Sequence, residues 1–514
     1  MNDHAEATRR RGGGRSARRA ARTQRREPML PWLQRNVPAV EVIDAEGVER
    51  IHDASMRILE TTGIDFRDPV ALEDWRKSGA EVDGERVRIP RELIEQRLKT
   101  VPGRIRLHAR DPDKSVELGR DATIFVPMTG APFIRDLEDR RRYGSIADLN
   151  DFHRLAHMSP GLHSSAHVIC EPMDVPVGHR HLWITYSSMA HSDKTFMGMS
   201  TTGQRAEDVM EMVKILFGED FVDRNAVVTG NINGNSPLVW DQSMLGAMRA
   251  FSRHNQPVLC SPFVLGGANT PAHTLASVAQ LNAEATAALA YTQIIRPGAP
   301  AIYGHYLSTV SMQSGAPMAG TPEISHLNFL VGQMARHYDV PWRTSGSLGG
   351  AKTFDAQAGY ESATTLEATV LAGANYIWHA AGWNEAGMHV STAKFVVDAE
   401  QCAMAHKLGR GPEWDDFEEA FACIDEVGPG GHFLGTEYTR KNFERAFFIP
   451  KLFDNNNFEQ WVADGEMEIT ERALKYARKQ LNEYEQPALD PGIDEQLRDY
   501  IARREREIEP DTVE

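Results

Sequence analysis

Five short polar and aromatic clusters hold most of the chemically capable side chains: Asn231-Ile232-Asn233-Gly234-Asn235, Ser261-Pro262-Phe263, Tyr303-Gly304-His305-Tyr306, Ser345-Gly346-Ser347 and His379-Ala380-Ala381-Gly382-Trp383. Each follows a short apolar run. Amides, imidazoles and hydroxyls set among aromatic faces are the lining of a small-molecule site. One cluster opens a longer segment, SGSLGGAKTFDAQAGYE from Ser345 to Glu361, whose glycines and Lys352-Thr353 invite a phosphate-loop reading. That motif needs glycine directly before the lysine, and Ala351 stands there. The segment reads instead as a strand-to-helix loop capped by Asp355, or as a loop that meets substrate. His179-Arg180-His181 offers two imidazoles on different helix faces with no carboxylate at ligand spacing, so no metal site is expected. Cys170, Cys260, Cys402 and Cys423 form no CxxC pair, which excludes a zinc knuckle or a disulfide framework and fits a reduced compartment.

These clusters need a scaffold that brings them to one place. Short β-rich runs open at His163, Lys194, Ala226, Pro257, Ala299, Val340, Ala374 and Gly431, with helical segments such as Arg205 to Phe217, Asp241 to His254, Thr274 to Ile295, Pro322 to Tyr338 and Ala358 to Ala372 between them. The central starts recur every 30 to 40 residues or so, the length of one strand, one helix and two loops. Alternation of this kind calls for parallel strands, and eight units favour a closed (β/α)8 barrel over a doubly wound sheet, since no GxGxxG marks a strand-to-helix turn. In such a barrel all the polar and aromatic clusters meet at the C-terminal mouth, where active sites are built.

Upstream, Asp44 to Glu60 reads as a capped helix ended by Gly63, a strand at Arg86 to Ile89 leads through Pro90 into a helix at Arg91 to Lys99, and residues 104 to 143 alternate like short strands. Downstream, Thr470 to Leu481 and Glu495 to Arg506 read as charged surface helices separated by Pro487 and Pro491. The expected organisation is a basic disordered arm over residues 1–30, an N-terminal α/β cap over 31–160, a TIM barrel over 161–440 and a C-terminal helical extension over 441–514.

Composition sets outer limits. The 514 residues are 41% hydrophobic with 41 glycines, an ordinary globular mixture that can bury a sizeable core. Net charge is −16, yet the first thirty residues carry nine arginines against Asp3, Glu6 and Glu27, so the folded part is more acidic than the whole. An arm this basic and this poor in large apolar side chains reads as solvated and disordered. The acidic remainder speaks against nucleic acid as a partner and suits a cationic substrate. Arg25-Arg26 is followed by Glu27 and Pro28 rather than an apolar stretch, and the longest uncharged stretch, His254 to Ala283, is broken by prolines. Neither an export signal nor a membrane span is expected, and the cytoplasm is the expected location.

Four segments carry a resemblance: SGSLGGAKTFDAQAGYE, LNAEATAALAYTQIIRPGAPAIYG from Leu281 to Gly304, LAGANYI from Leu371 to Ile377, and VGPGGHFL from Val427 to Leu434. Together they resemble the trimethylamine methyltransferase family over roughly residues 40 to 480. Its specific motif falls here on Ala351, Lys352, Asp355, Gln357, Ala358 and Gly359. The resemblance implies a (β/α)8 barrel that passes a methyl group from a methylamine to the cobalt of a separate corrinoid protein. Trimethylamine enzymes carry pyrrolysine four residues before the family lysine, and Leu348 occupies that position here. An aliphatic side chain cannot activate a tertiary amine. The chain is therefore similar to the pyrrolysine-free branch that includes glycine betaine methyltransferases, and a quaternary amine is the expected methyl donor.

On that reading a trimethylammonium head should sit among aromatic faces. The candidates are Phe125, Phe196, Phe263, Tyr303, Tyr306, Phe354, Trp378 and Trp383. A betaine carboxylate would take donors from His167, Asn233, His305 and His379, with Leu348 beside the substrate. No catalytic base is required. Glu284, in Asn282-Ala283-Glu284, matches the family pattern and would meet either substrate or a neighbouring barrel element. The implied partner is a corrinoid protein, which presents the cobalamin that this chain does not itself hold tightly; a barrel of this size is also expected to associate with further copies of itself. Two alternatives keep the same scaffold: a quaternary-ammonium sensor without turnover, and a demethylase with another methyl acceptor.

Overall fold

A computed structural model describes residues 28–512; the basic arm expected over residues 1–30 lies almost wholly outside the described residues. Parallel strands covered on both faces must be short, apolar and rich in β-branched or aromatic residues. Seven such strands form one continuous parallel run: β1 (Ala122–Phe125), β2 (Phe196–Gly198), β3 (Val228–Gly234), β4 (Val258–Gly266), β5 (Ala301–Gly304), β6 (Trp342–Ser345) and β7 (Tyr376–Trp378). Their spatial order is β1-β7-β6-β5-β4-β3-β2, and every neighbouring pair is parallel. Between β1 and β2 runs the segment at 163–166. His163 N donates to Phe125 O at 2.9 Å, Ser165 N to Thr195 O at 2.9 Å, and Met197 N to Ala166 O at 3.1 Å. Architecture is thus mixed α/β, with strand and helix alternating along the sheet.

Helices α1 (Gly203–Phe217), α2 (Gln242–Arg253), α3 (Thr274–Ile295), α4 (Pro322–His337) and α5 (Ala356–Leu371) cross over between strands at the positions the periodicity predicts, and α6 (Thr392–Arg410), which the sequence reading did not name, follows the last strand. Their starts are capped locally: Thr202, Asp241, His273, Asp355 and Ser391 each accept a backbone N–H of the first turn. Helix α3 has no polar face, and it is buried from Ser277 to Gln293. It packs between the parallel sheet and the N-terminal helices Ala45–Arg57 and Arg91–Leu98, which explains an apolar surface all round. Asn282 ties those layers together. Its Nδ2 donates to Ser55 Oγ and Tyr338 OH, both at 2.9 Å, and its Oδ1 accepts from Tyr303 OH at 2.9 Å.

Two expectations are corrected here. The strand expected at Gly431 is a 3-10 turn, Phe433–Gly435, followed by a short helix, Glu437–Asn442. The run GHFLGTEY alternates like a strand but has no sheet edge to join. Conversely Ala122–Phe125, grouped with the cap by sequence, pairs with β7 and belongs to the parallel sheet. After α6 the chain forms α7 (Phe417–Val427), then α8 (Ile469–Asn482) and α9 (Pro491–Glu507), the last two where charged helices are expected. Helix α8 packs on α6. Helix α9 is fastened through Asp208, which accepts from Tyr500 OH and Arg504 Nε at 2.8 Å and lies 2.9 Å from His181 Nε2. His181 and His179, whose Nε2 meets Ile508 O at 3.0 Å, are therefore bolts for the C-terminal helix.

Candidate active site

Strand register decides which side chains face inward. Gly230 and Gly198 turn outward, since a Cβ on either would strike Phe251 of α2 or Val209 of α1. Their neighbours Thr229 and Asn231 therefore point inward, and Thr229 Oγ1 lies 3.4 Å from Tyr376 OH. Through the paired registers Arg343, Ser345, Tyr376 and Trp378 share this inward phase. Arg343 is almost fully buried, and its guanidinium carbon stands 4.5 Å above the Trp378 ring. One of its terminal nitrogens donates to His305 O, another lies 3.5 Å from His379 Nδ1, and its Nε has no partner. No carboxylate pairs with it among the described residues. Burial lowers its pKa to about 9, which leaves it cationic at neutral pH.

Above this cation the aromatic side chains form a chain toward solvent. Trp378 stacks on His379 with centroids 4.6 Å apart, His379 meets Trp383 at 4.5 Å, Trp383 meets Tyr306 at 6.2 Å, and Tyr306 stacks on Phe263 at 4.8 Å. Phe263 is 40% exposed, so the series runs from the protein floor to the surface. His167 approaches the Trp378 ring edge-on at 6.3 Å. His305 has neither ring nitrogen hydrogen-bonded, and His379 Nδ1 sits 2.9 Å from Ser345 Oγ. Burial lowers His305 to about 3 and His167 to about 4, and pushes His379 well below its ordinary value. All three imidazoles are neutral at physiological pH, so among the described residues Arg343 brings the charge to this cluster.

Leu348 is buried and lines a small cavity with His305, Tyr306, Asn328 and Ser345. The loop that carries it is built by the Asp-x-Gln motif downstream. Asp355 caps α5 at Ala358 N, Gln357 Nε2 donates to Glu361 Oε1 at 2.8 Å, and Glu361 accepts from Gly350 N at 2.8 Å and Ala351 N at 3.2 Å. From behind, Lys394 Nζ donates to Ser347 O at 3.2 Å and to Asp398 Oδ2 at 2.6 Å, while Asp398 accepts from Gly382 N at 2.9 Å. This buried pair holds the two strand-end loops on either side of the cluster. Ser347 (φ 46°) and His379 (φ 55°) adopt left-handed backbone unusual for residues with side chains, strain that packing of this kind sustains.

The sequence candidates divide accordingly. His167, Tyr306, Leu348, Trp378, His379 and Trp383 come together, with Phe263 at the outer end; His305 adjoins them through its carbonyl, which accepts from Arg343, while its ring stacks on Trp342 with centroids 6.2 Å apart. Phe125 and Tyr303 point into the helix layer instead. Phe125 stacks on His163 at 5.8 Å, and Tyr303 hydroxyl is bound by Asn282. Phe196 shares the outward phase of Val228. Phe354 is partly buried, and its carbonyl accepts from Thr470 Oγ1 of α8 at 3.3 Å. Asn233 is exposed, and its Oδ1 accepts from Asn231 Nδ2 at 2.9 Å; Asn231 is the buried member of the pair. Glu284 serves a neighbouring element: it accepts from Ser236 Oγ, Leu238 N and Gln280 Nε2 and so fixes the loop after β3. Sequence reasoning missed Arg343, although it stands two residues before Ser345 and thus on the same face.

A profile of the Trimethylamine methyltransferase (MTTB) family matches residues 10–509. The chain belongs to the trimethylamine methyltransferase family. Among relatives, it is 40% identical to a glycine betaine methyltransferase of Desulfitobacterium hafniense (strain Y51), over 92% of this chain and 98% of the relative. A proline betaine:corrinoid methyltransferase of Eubacterium limosum is 27% identical over 90% and 98% of the two chains. A trimethylamine methyltransferase MttB of D. hafniense is 26% identical over 90% and 93%. In this chain the cluster around Arg343 and Leu348 stands at β6, β7 and the loops that follow them. No group of three or more His, Cys, Asp or Glu suited to a metal ion occurs among the described residues, all four cysteines are free and buried, and no described helix is long and apolar enough to cross a membrane.

Proposed function

We propose that this chain transfers a methyl group from a carboxylate-bearing quaternary amine, of which glycine betaine is the simplest, to a corrinoid protein, releasing the tertiary amine. The observation that carries this reading is Arg343, a buried guanidinium without an acidic partner at the foot of an aromatic chain. A buried cation left unpaired is costly, and a ligand carboxylate is the group that would complete it. His167, His305 and His379 would lie around that carboxylate, with Leu348 beside the methylene carbons. Trp378, Trp383 and Tyr306 offer faces to the ammonium head.

The seven strands and the segment at 163–166 are best read as a closed (β/α)8 barrel preceded by a cap that ends near β1 and followed by a helical extension after α6. On that reading the ammonium end points to the mouth. A quaternary nitrogen leaves as a neutral amine, so the chain needs no proton donor. Its task is to desolvate the substrate and hold one methyl toward the opening. The cobalt of the partner supplies the nucleophile that accepts the methyl. Exposed Phe263 in the last part of β4, with Met312, Met318 and Met388 on the segments after β5 and β7, would give the opening an apolar rim that fits a tetrapyrrole edge. The proposed setting is the cytoplasm, where a reduced corrinoid protein would be available.

The test mixes the purified enzyme, a reduced corrinoid protein and a panel of amines, with methyl-cobalt formation followed by absorbance. Betaines should react and trimethylamine should not. Binding of betaines without methyl transfer to any acceptor would replace this reading with that of a sensor.

A further inference from the structure

Ser261 opens one of the strand-end clusters, and its hydroxyl is so far without a role. Cys260 pairs with Tyr303, which points to the helix layer, so Ser261, next along β4, faces inward. It is 1% exposed, and its Oγ has no hydrogen-bond partner among the described residues. A serine buried in a helix can donate to a carbonyl one turn back, but a strand offers no such acceptor. A hydroxyl orphaned in the interior is costly until a ligand completes it.

The next strand shows where that hydroxyl lies. Gly304 of β5 pairs with Arg343 of β6 and shares its inward phase. A Cβ on Gly304 would strike Ser261 Oγ and come within 2.9 Å of Cys260 O, so the hydroxyl leans over the bare glycine. From the other side Arg343 reaches back to β5 and donates to His305 O, one residue further on. Hydroxyl and guanidinium therefore converge from β4 and β6 on the same stretch of β5. Two strand spacings, about 10 Å, separate their backbones, and no side chain stands between them at Gly304. A carboxylate with a charge-assisted hydrogen bond of about 2.8 Å at each end needs roughly 8 Å.

We infer that Ser261 is a second binding residue for the substrate carboxylate: its hydroxyl donates to one oxygen while Arg343 holds the other, and Gly304 stays bare so that the two can share the anion. This rests on the betaine chemistry proposed above and adds a residue to that site. The carboxylate takes no part in methyl transfer, so the bond contributes equally before and during the reaction, which places its effect in KM rather than in kcat.

Ser261→Ala should fold and melt like the parent, and its KM for glycine betaine should rise about tenfold while kcat stays within about twofold. Ser261→Gly should do the same, so the result does not hang on the folding of one variant. In an Arg343→Met background, judged by the betaine concentration needed to raise the melting temperature, Ser261→Ala should add less than about twofold, because the carboxylate is no longer held against the serine. A tenfold loss that multiplies in full with Arg343→Met would mean that the hydroxyl acts elsewhere and would overturn the inference, as would an unchanged KM in a folded Ser261→Ala. If the parent transfers no methyl from glycine betaine, the proposed function fails and this inference with it; a reactive parent with an indifferent Ser261→Ala removes this inference alone.

Discussion

Arg343 concentrates the chemical argument in one residue. Its replacement by methionine removes a buried charge that no carboxylate among the described residues neutralises, so the unliganded Arg343→Met variant should melt no lower than the parent. Betaine binding should suffer in the opposite sense. Loss of one partner of a buried charge pair costs about 2 to 5 kcal/mol, which means a KM raised by about 30-fold or more, and the rise in melting temperature on adding betaine should vanish. A variant still stabilised by betaine as strongly as the parent would remove Arg343 from the site. The sequence pointed to His305, His379, Trp378 and Trp383 because polar and aromatic residues at strand ends are conspicuous. Arg343 was hidden inside VPWRTSGS, where a cation in a buried strand with no acid at matching phase is the signal to look for.

At the scale of elements, α6 acts on the site through Lys394 and Asp398, which reach Ser347 and Gly382 on two different loops. Lys394→Met strands a buried carboxyl and should cost about 3 to 5 kcal/mol of stability. Lys394→Met with Asp398→Leu should recover most of that melting temperature, yet leave both loops without their tether, so kcat should stay depressed while the fold returns. Full recovery of both quantities would make the pair purely structural. Helix positions and caps were legible in sequence because 3.6-residue periodicity and residues such as Asp355 act locally. The facing of strand residues was not. Phe125 and Tyr303 sit in strands buried on both sides, where each face is apolar and alternation carries no phase, so only the register running across the sheet from Gly198 and Gly230 tells inside from outside.

For the whole molecule, burial of imidazoles ties stability to pH. His153, His163, His167, His191 and His305 are lowered to between about 3 and about 4, and His379 lies well below its ordinary value, desolvation leading in each case. The unfolded chain takes up these protons near pH 6.5 and the folded one does not, so stability is complete above that pH and falls as pH drops toward 4. Each imidazole contributes a slope of up to about 1.4 kcal/mol per pH unit. Raised carboxyls such as Glu284 and Asp398 oppose this, but they are fewer. Melting temperature measured from pH 7.5 to 4.5 should fall steeply below 6.5; a flat profile would mean that water or protons reach these rings. The run at Gly431 fails to become a strand for a reason at this same scale: a short alternating run needs a free partner strand, and the place beside β7 is filled by Ala122–Phe125, three hundred residues upstream.

On the proposed reading, the guanidinium at the floor would also decide which molecules the pocket turns away. A quaternary amine with an alcohol in place of the carboxylate would carry its own positive charge into a closed space that already holds one, with neutral imidazoles unable to screen the two. Choline would be refused by repulsion rather than by shape, and the enzyme could work among abundant choline without a snug fit to any particular tail.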